Sequence, residues 1–178
     1  YRVIADCACK NNQVYDEWIV RDQGAMVRQL GYSPKEFAKH IIEKEGGETK
    51  AKRLFDYNSD TKSEYKPFNF KKNSVAEKYS QILKNIFFED YKFTDYARAA
   101  SIFWPGNKIG HGREDISKYW NSIKNLLNNI DFSIEHVGWQ EEKGKNSRVS
   151  IRWFLKGLHS NNTNEYEEAT NKDVFIMG

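Results

Sequence analysis

The chain has 178 residues, enough for one core or for parts of two, since domains usually run on the order of 100–150 residues. Hydrophobic residues at 39%, aromatics at 15% and only 3 prolines argue against a disordered polypeptide, and a net charge of +3 is too small to demand an anionic partner, so nucleic-acid binding is not expected. No run approaches the roughly 20 apolar residues of a membrane span, and no basic-then-apolar leader opens the chain, so it reads as a soluble, cytoplasmic protein with no membrane partner.

In chain order, Tyr1–Cys9 is rich in β-formers, Lys10–Gln13 is turn chemistry, and Val14 onward resumes an extended pattern, which together predict a β-hairpin. Cys7 and Cys9 form a C-x-C on one strand face, poorly spaced for an intrachain disulfide and too few for a zinc site; the plain expectation is two buried, reduced thiols. After Asp22 a short helical stretch carries Ala25, Met26, Val27 and Leu30 and stops at Gly31. Ser33 as N-cap and Pro34 just inside predict a second helix to about Glu45, ended by Gly46 and Gly47. From Glu48 to Asn73 the composition turns to Lys, Ser, Asp, Asn and Thr and reads as a linker. Its rings, Phe55, Tyr57, Tyr65, Phe68 and Phe70, are expected to dock on a neighbour, because no dense basic cluster surrounds them for stacking on bases.

Beyond the linker, Val75, Tyr79, Ile82, Leu83, Ile86 and Phe87 mark an amphipathic helix ending near Phe88. "DYARAASIFWPG" predicts a short strand ended by Trp104-Pro105-Gly106. "GHGREDISKYWNSIKNLLNNI" reads as another amphipathic helix, with Ile116, Tyr119, Trp120, Ile123, Leu126 and Leu127 on its buried side. Three extended runs, "FSIEHVGW", "RVSIRWFLKGLH" and "DVFIMG", close the chain, and helices followed by antiparallel strands is α+β order.

These residues bring a resemblance with them. Ile102–Ser160 resembles the middle of a SnoaL-like polyketide cyclase or ester-cyclase domain of the nuclear-transport-factor-two-like superfamily: W-P-G followed by G-x-G before a helix, Y-W in that helix, and a strand R-V-x-I-R-W ending in G-x-H. The family's closing strand, E-W-x-x-x-D with a short helix ending Q-L-G, does not follow Gly178, but "YDEWIVRDQGAMVRQLG", Tyr15–Gly31, resembles it. The domain plan is then residues 1–47 resembling the end of such a domain, a linker over 48–73, and 74–178 lacking its last strands. Either the chain is a window on a tandem protein, or residues 1–31 fold back as in a permuted domain. The second is favoured, because an open sheet edge at "DVFIMG" is costly and the linker is long enough to let the ends meet.

The resemblance implies a curved antiparallel sheet wrapped around helices, forming a cone with an apolar pocket, cystatin-like in architecture. Strand parity then assigns side chains: Val149, Ile151, Trp153 and Leu155 to one face, Phe132, Ile134 and His136 to one face, and Asp22 to the face of Trp18 and Val20. In SnoaL-like cyclases the acid of the matching strand performs acid–base ring closure without metal or cofactor, so Asp22 is the implied catalytic residue. Facing an apolar pocket, its pKa would rise. The competing reading makes Asp22 the N-cap of the helix at Gln23. His136 is the second catalytic candidate, against the more ordinary role of a satisfied core histidine. Trp18, Trp104, Phe132 and Trp153 are expected to wall the pocket, with His159 near its mouth; each taken singly reads as ordinary core, but so many indoles suit the lining of a large cavity. His111 reads as a loop residue and His40 as exposed.

No H-x-x-x-H spacing predicts a metal, G-H-G at Gly110–Gly112 lacks the lysine of a phosphate loop, and no G-x-S-x-G is present. The expected function is a small-molecule-binding protein for an apolar or aromatic ligand, with cofactor-free cyclase, isomerase or hydrolase chemistry open, and with a second copy as partner in a homodimer joined through the sheet. The alternative is a non-catalytic binding or dimerisation module. A longer acidic insertion, "SNNTNEYEEATNKD" with Glu165, Glu167 and Glu168, departs from the family's short turn after G-x-H.

Overall fold

The computed structural model describes residues 1–52, 70–72, 74–160 and 169–178. The chain divides into two units, 1–66 with 104–108 and 67–103 with 109–178. Most of the predicted linker, including Phe55, Tyr57, Tyr65 and Phe68, and the glutamates of the acidic insertion lie outside the described residues. The described architecture is mixed α+β with antiparallel sheets, and no helix in it is long and apolar enough to cross a membrane.

In the first unit, β1 (Val3–Lys10) and β2 (Gln13–Arg21) form a hairpin. Asn11 and Asn12 turn it with φ of 52° and 59°, the left-handed pair whose twist matches that of the flanking strands. The register runs from Val3 opposite Arg21 to Lys10 opposite Gln13, and Tyr15 is an extra residue on β2 between the Ala8–Asp16 and Cys9–Val14 pairs. Helix α1 (Gln23–Gln29) and helix α2 (Pro34–Lys44) follow. Ser33 occupies the N-cap position of α2, yet its side chain makes no capping hydrogen bond. Of residues 1–52, only Ala25 is buried.

In the second unit the Ser74 hydroxyl accepts from the Glu77 N–H at 3.2 Å and caps helix α3 (Val75–Phe88). Strand β3 (Ser101–Trp104) pairs with β4 (Lys108–His111), and helix α4 (Gly112–Leu126) runs directly on from it. Strands β5 (Leu127–Gln140), β6 (Arg148–His159) and β7 (Asp173–Met177) make an antiparallel sheet with β6 in the middle. Ile82, Ile86 and Phe87 of α3 and Ile116 and Trp120 of α4 are buried against Phe132 of β5 and Leu155 of β6, with Val174 and Ile176 of β7 packed alongside. Apolar residues three and four apart on a helix meet apolar residues two apart on a strand, and that is the whole of the core's logic.

Three expectations about elements are corrected here. The second amphipathic helix stops at Leu126, because Leu127 pairs with His159 and is buried as a strand residue, and Asn129 at φ 53° bends the chain into the sheet. His111 ends a strand rather than lying in a loop, its Nδ1 3.1 Å from the Ser101 hydroxyl. The anticipated pairing of residues 1–31 with the strand holding Trp153 is absent among the described residues: β1 and β2 form a separate two-stranded sheet. A two-residue turn closes that hairpin at small entropic cost, while the Trp153 backbone exchanges hydrogen bonds with Gly178.

Candidate functional site

Asp22 leaves β2 and opens α1, and its carboxylate gathers three backbone donors. Oδ1 accepts from the Ala25 N–H at 2.9 Å, which caps the helix, and Oδ2 accepts from Gly106 at 2.8 Å and Asn107 at 3.2 Å in the β3–β4 turn. Gly106 and Asn107 have φ of 83° and 61°, and consecutive amides in such a turn converge on an anion. The φ of Gly106 favours glycine, and an added Cβ would also push aside the Arg28 guanidinium, 2.7 Å away.

Burial alone pushes the Asp22 carboxyl up, but the amides of Gly106, Ala25 and Asn107, helped by the charge of Arg28, outweigh it and hold the group below the ordinary aspartate range. The expected rise is therefore reversed. Three donors stabilise the anion, as hydrogen bonds to an ionised form do. With both oxygens engaged by the backbone, Asp22 is a cap, and a weak base at neutral pH.

His136 also differs from its expected placement. Strand β5 registers Ile134 opposite Trp153 and His136 opposite Arg152, which leaves Glu135 as an extra residue, a β-bulge. Residues registered opposite one another share a face, so Phe132 and Ile134 stay with Trp153 and Leu155 whereas His136 moves to the face of Arg152 and Phe154. One inserted residue inverts the parity of everything after it. His136 is thus not beside Phe132 and Trp153.

The bulge produces a pair that parity counting missed. Arg152 Nε lies 3.4 Å from Glu135 Oε2, with side-chain exposures of 4% and 18%. Burial pushes the Glu135 carboxyl up, and the Arg152 charge pulls it back only in part, so it remains above the ordinary glutamate value. The available signal was an arginine in the middle of the apolar run "VSIRWFL".

The proposed wall is divided between the units. Phe132 and Trp153 are together, ring centroids 5.9 Å apart, and Phe87 stacks on Phe132 at 4.7 Å while Trp120 lies 6.0 Å from Trp153. These rings fill one another's space. Trp18 on β2 and Trp104 at the end of β3 belong to the first unit. His159 is buried at the end of β6, and its Nδ1 accepts from the Thr170 N–H at 3.3 Å. Phe70 meets Trp139 edge-on at 6.4 Å, a docked linker ring.

Among the described residues, one depression of about 520 Å³ is lined by Lys124, Leu127 and Asn128 and another of about 550 Å³ by Gln140, Glu142 and Arg148. Neither is lined by the residues expected at the pocket. Both cysteines are exposed, contrary to the expected burial, because they lie on the outer face of a hairpin that packs little. Comparison with protein-family models, with curated proteins and with solved structures found no match.

Proposed function

We propose that the chain is a non-catalytic assembly module resembling the SnoaL-like domains, with the cone-shaped fold of that superfamily, and that it works by joining a second copy through the β5–β6–β7 sheet. The observation that carries this reading is Asp22: its two oxygens are held by three backbone amides, and its proton affinity is lowered, the reverse of what an acid–base residue at neutral pH needs. Two more observations support it. The rings of Phe87, Trp120, Phe132 and Trp153 pack on one another, which leaves a small apolar ligand little to gain there. Phe175 on β7, registered opposite Lys156 and beside the Lys156–Asp173 ion pair, remains 36% exposed.

Sedimentation velocity over a micromolar concentration series tests the reading. A dimer is expected for the native chain and a monomer for Phe175→Asp with an unchanged circular dichroism spectrum. A chain that stays monomeric at every concentration, or one whose turnover of an aromatic polyketide-like substrate disappears in Asp22→Asn, would return the small-molecule and enzymatic readings to first place.

A further inference from the structure

Strand β1 turns Cys7 and Cys9 to the same side, since side chains two apart on a strand project from one face. Both thiols are exposed. Cys7 Sγ donates to Glu17 Oε1 at 3.5 Å, from the residue registered opposite it on β2, and Cys9 Sγ leans back along the strand to the Cys7 carbonyl oxygen at 4.0 Å. The extra residue in this hairpin, Tyr15, is on β2, so the alternation of β1 is unbroken through both cysteines.

Two residues along a strand separate the Cα atoms by roughly 6.6 Å, at the upper edge of what a disulfide tolerates. A metal ion bridges a wider gap, because each sulfur bonds the ion and the two sulfurs need not touch. No group of three or more His, Cys, Asp and Glu suited to a metal gathers among the described residues, so a four-coordinate zinc would lack ligands. Soft thiolates select soft ions, and a monovalent ion content with two ligands is satisfied by this pair alone.

We propose that Cys7 and Cys9 form a two-thiolate site for a soft monovalent cation of the copper(I) class. Binding replaces two S–H bonds by two sulfur–metal bonds and releases two protons, with the metal remaining monovalent and no oxidant or reductant consumed. Coordination takes the thiolate form of each cysteine, so binding strengthens as pH rises. The sequence-level expectation of no metal addressed histidine and zinc spacings and assumed buried thiols; exposure of both sulfurs removes that assumption.

The test is an anaerobic titration of the reduced chain with copper(I) against a chromogenic copper(I) chelator. One ion per chain is expected, with affinity rising by about 100-fold per pH unit while both thiols are protonated, the consequence of releasing two protons. The decisive variant is Ala8→Cys with Cys9→Ser, which keeps the number of cysteines but sends the second thiol to the opposite strand face. It should bind at least about tenfold more weakly, as bond geometry on opposite faces forbids the bridge. Cys9→Ser alone serves if the double variant does not fold. Equal affinity in the double variant means adventitious thiol chelation and overturns the proposal, as does a native chain that leaves all the metal with the competitor.

Discussion

Two carboxylates withdrawn from water, Asp22 in the first unit and Glu135 in the second, move in opposite directions. Asp22 accepts three backbone N–H bonds and is held low; Glu135 has a buried guanidinium 3.4 Å away and is nevertheless pushed up. Directed amide dipoles at hydrogen-bond distance stabilise the anion better than one imperfectly placed cation compensates for lost hydration. The formal charge nearby is the poorer guide. What matters is how many donors reach the oxygens, and for Asp22 a turn with two left-handed residues supplies two of them.

The largest expected effect comes from breaking the bulge pair. Arg152→Met leaves Glu135 beside an apolar side chain, and the expected loss in urea unfolding is about 3 kcal/mol, the lower end for a broken buried pair because Glu135 keeps some water. A loss below about 1 kcal/mol would mean that Arg152 does little for Glu135 and would remove that half of the comparison. Next, Asp22→Ala should cost about 1–2 kcal/mol through the lost cap, with Asp22→Asn costing less because an amide oxygen still accepts one of the N–H bonds.

The pH dependence separates the two groups by sign. The folded pKa of Asp22 lies below the unfolded value of ~3.9, so its contribution is complete above that pH and is lost as pH falls through the folded value. The folded pKa of Glu135 lies above ~4.3, so the native state takes up that proton first and gains stability as pH falls through it. Unfolding midpoints against pH should therefore show Asp22→Asn flattening the limb below ~3.9 and Glu135→Gln removing a gain just above ~4.3. Identical profiles for the two variants would defeat the assignment. The smallest effect contrasts two serines: Ser74→Ala should lose about 1 kcal/mol, since its hydroxyl caps α3, whereas Ser33→Ala should fall within about 0.5 kcal/mol of the native chain because Ser33 caps with no side-chain bond.

Much of the local structure was legible. Helix α3 begins and ends where apolar spacing places it, β6 coincides with "RVSIRWFLKGLH", and the Lys10–Gln13 turn is a hairpin turn. Periodicity and turn chemistry are properties of neighbouring residues, and neighbours were in view. Strand β4 was not legible, since "KIGH" is short and has no alternation of its own; it exists because β3 pairs with it. The capping role of Asp22 was one of two readings the sequence offered, and its position before Gln23 carried the signal.

The amino-acid sequence by itself determined the α+β order, most element boundaries and the common face of Cys7 and Cys9, because each depends on spacing along a few residues. Only the tertiary structure decided the face of His136, the pairing of Glu135 with Arg152 and the low proton affinity of Asp22. A single bulged residue inverts strand parity without a local signature, and two of the three amides that hold Asp22 lie 84 and 85 residues away along the chain. Protonation follows the donors that folding delivers, and no count along one strand contains them.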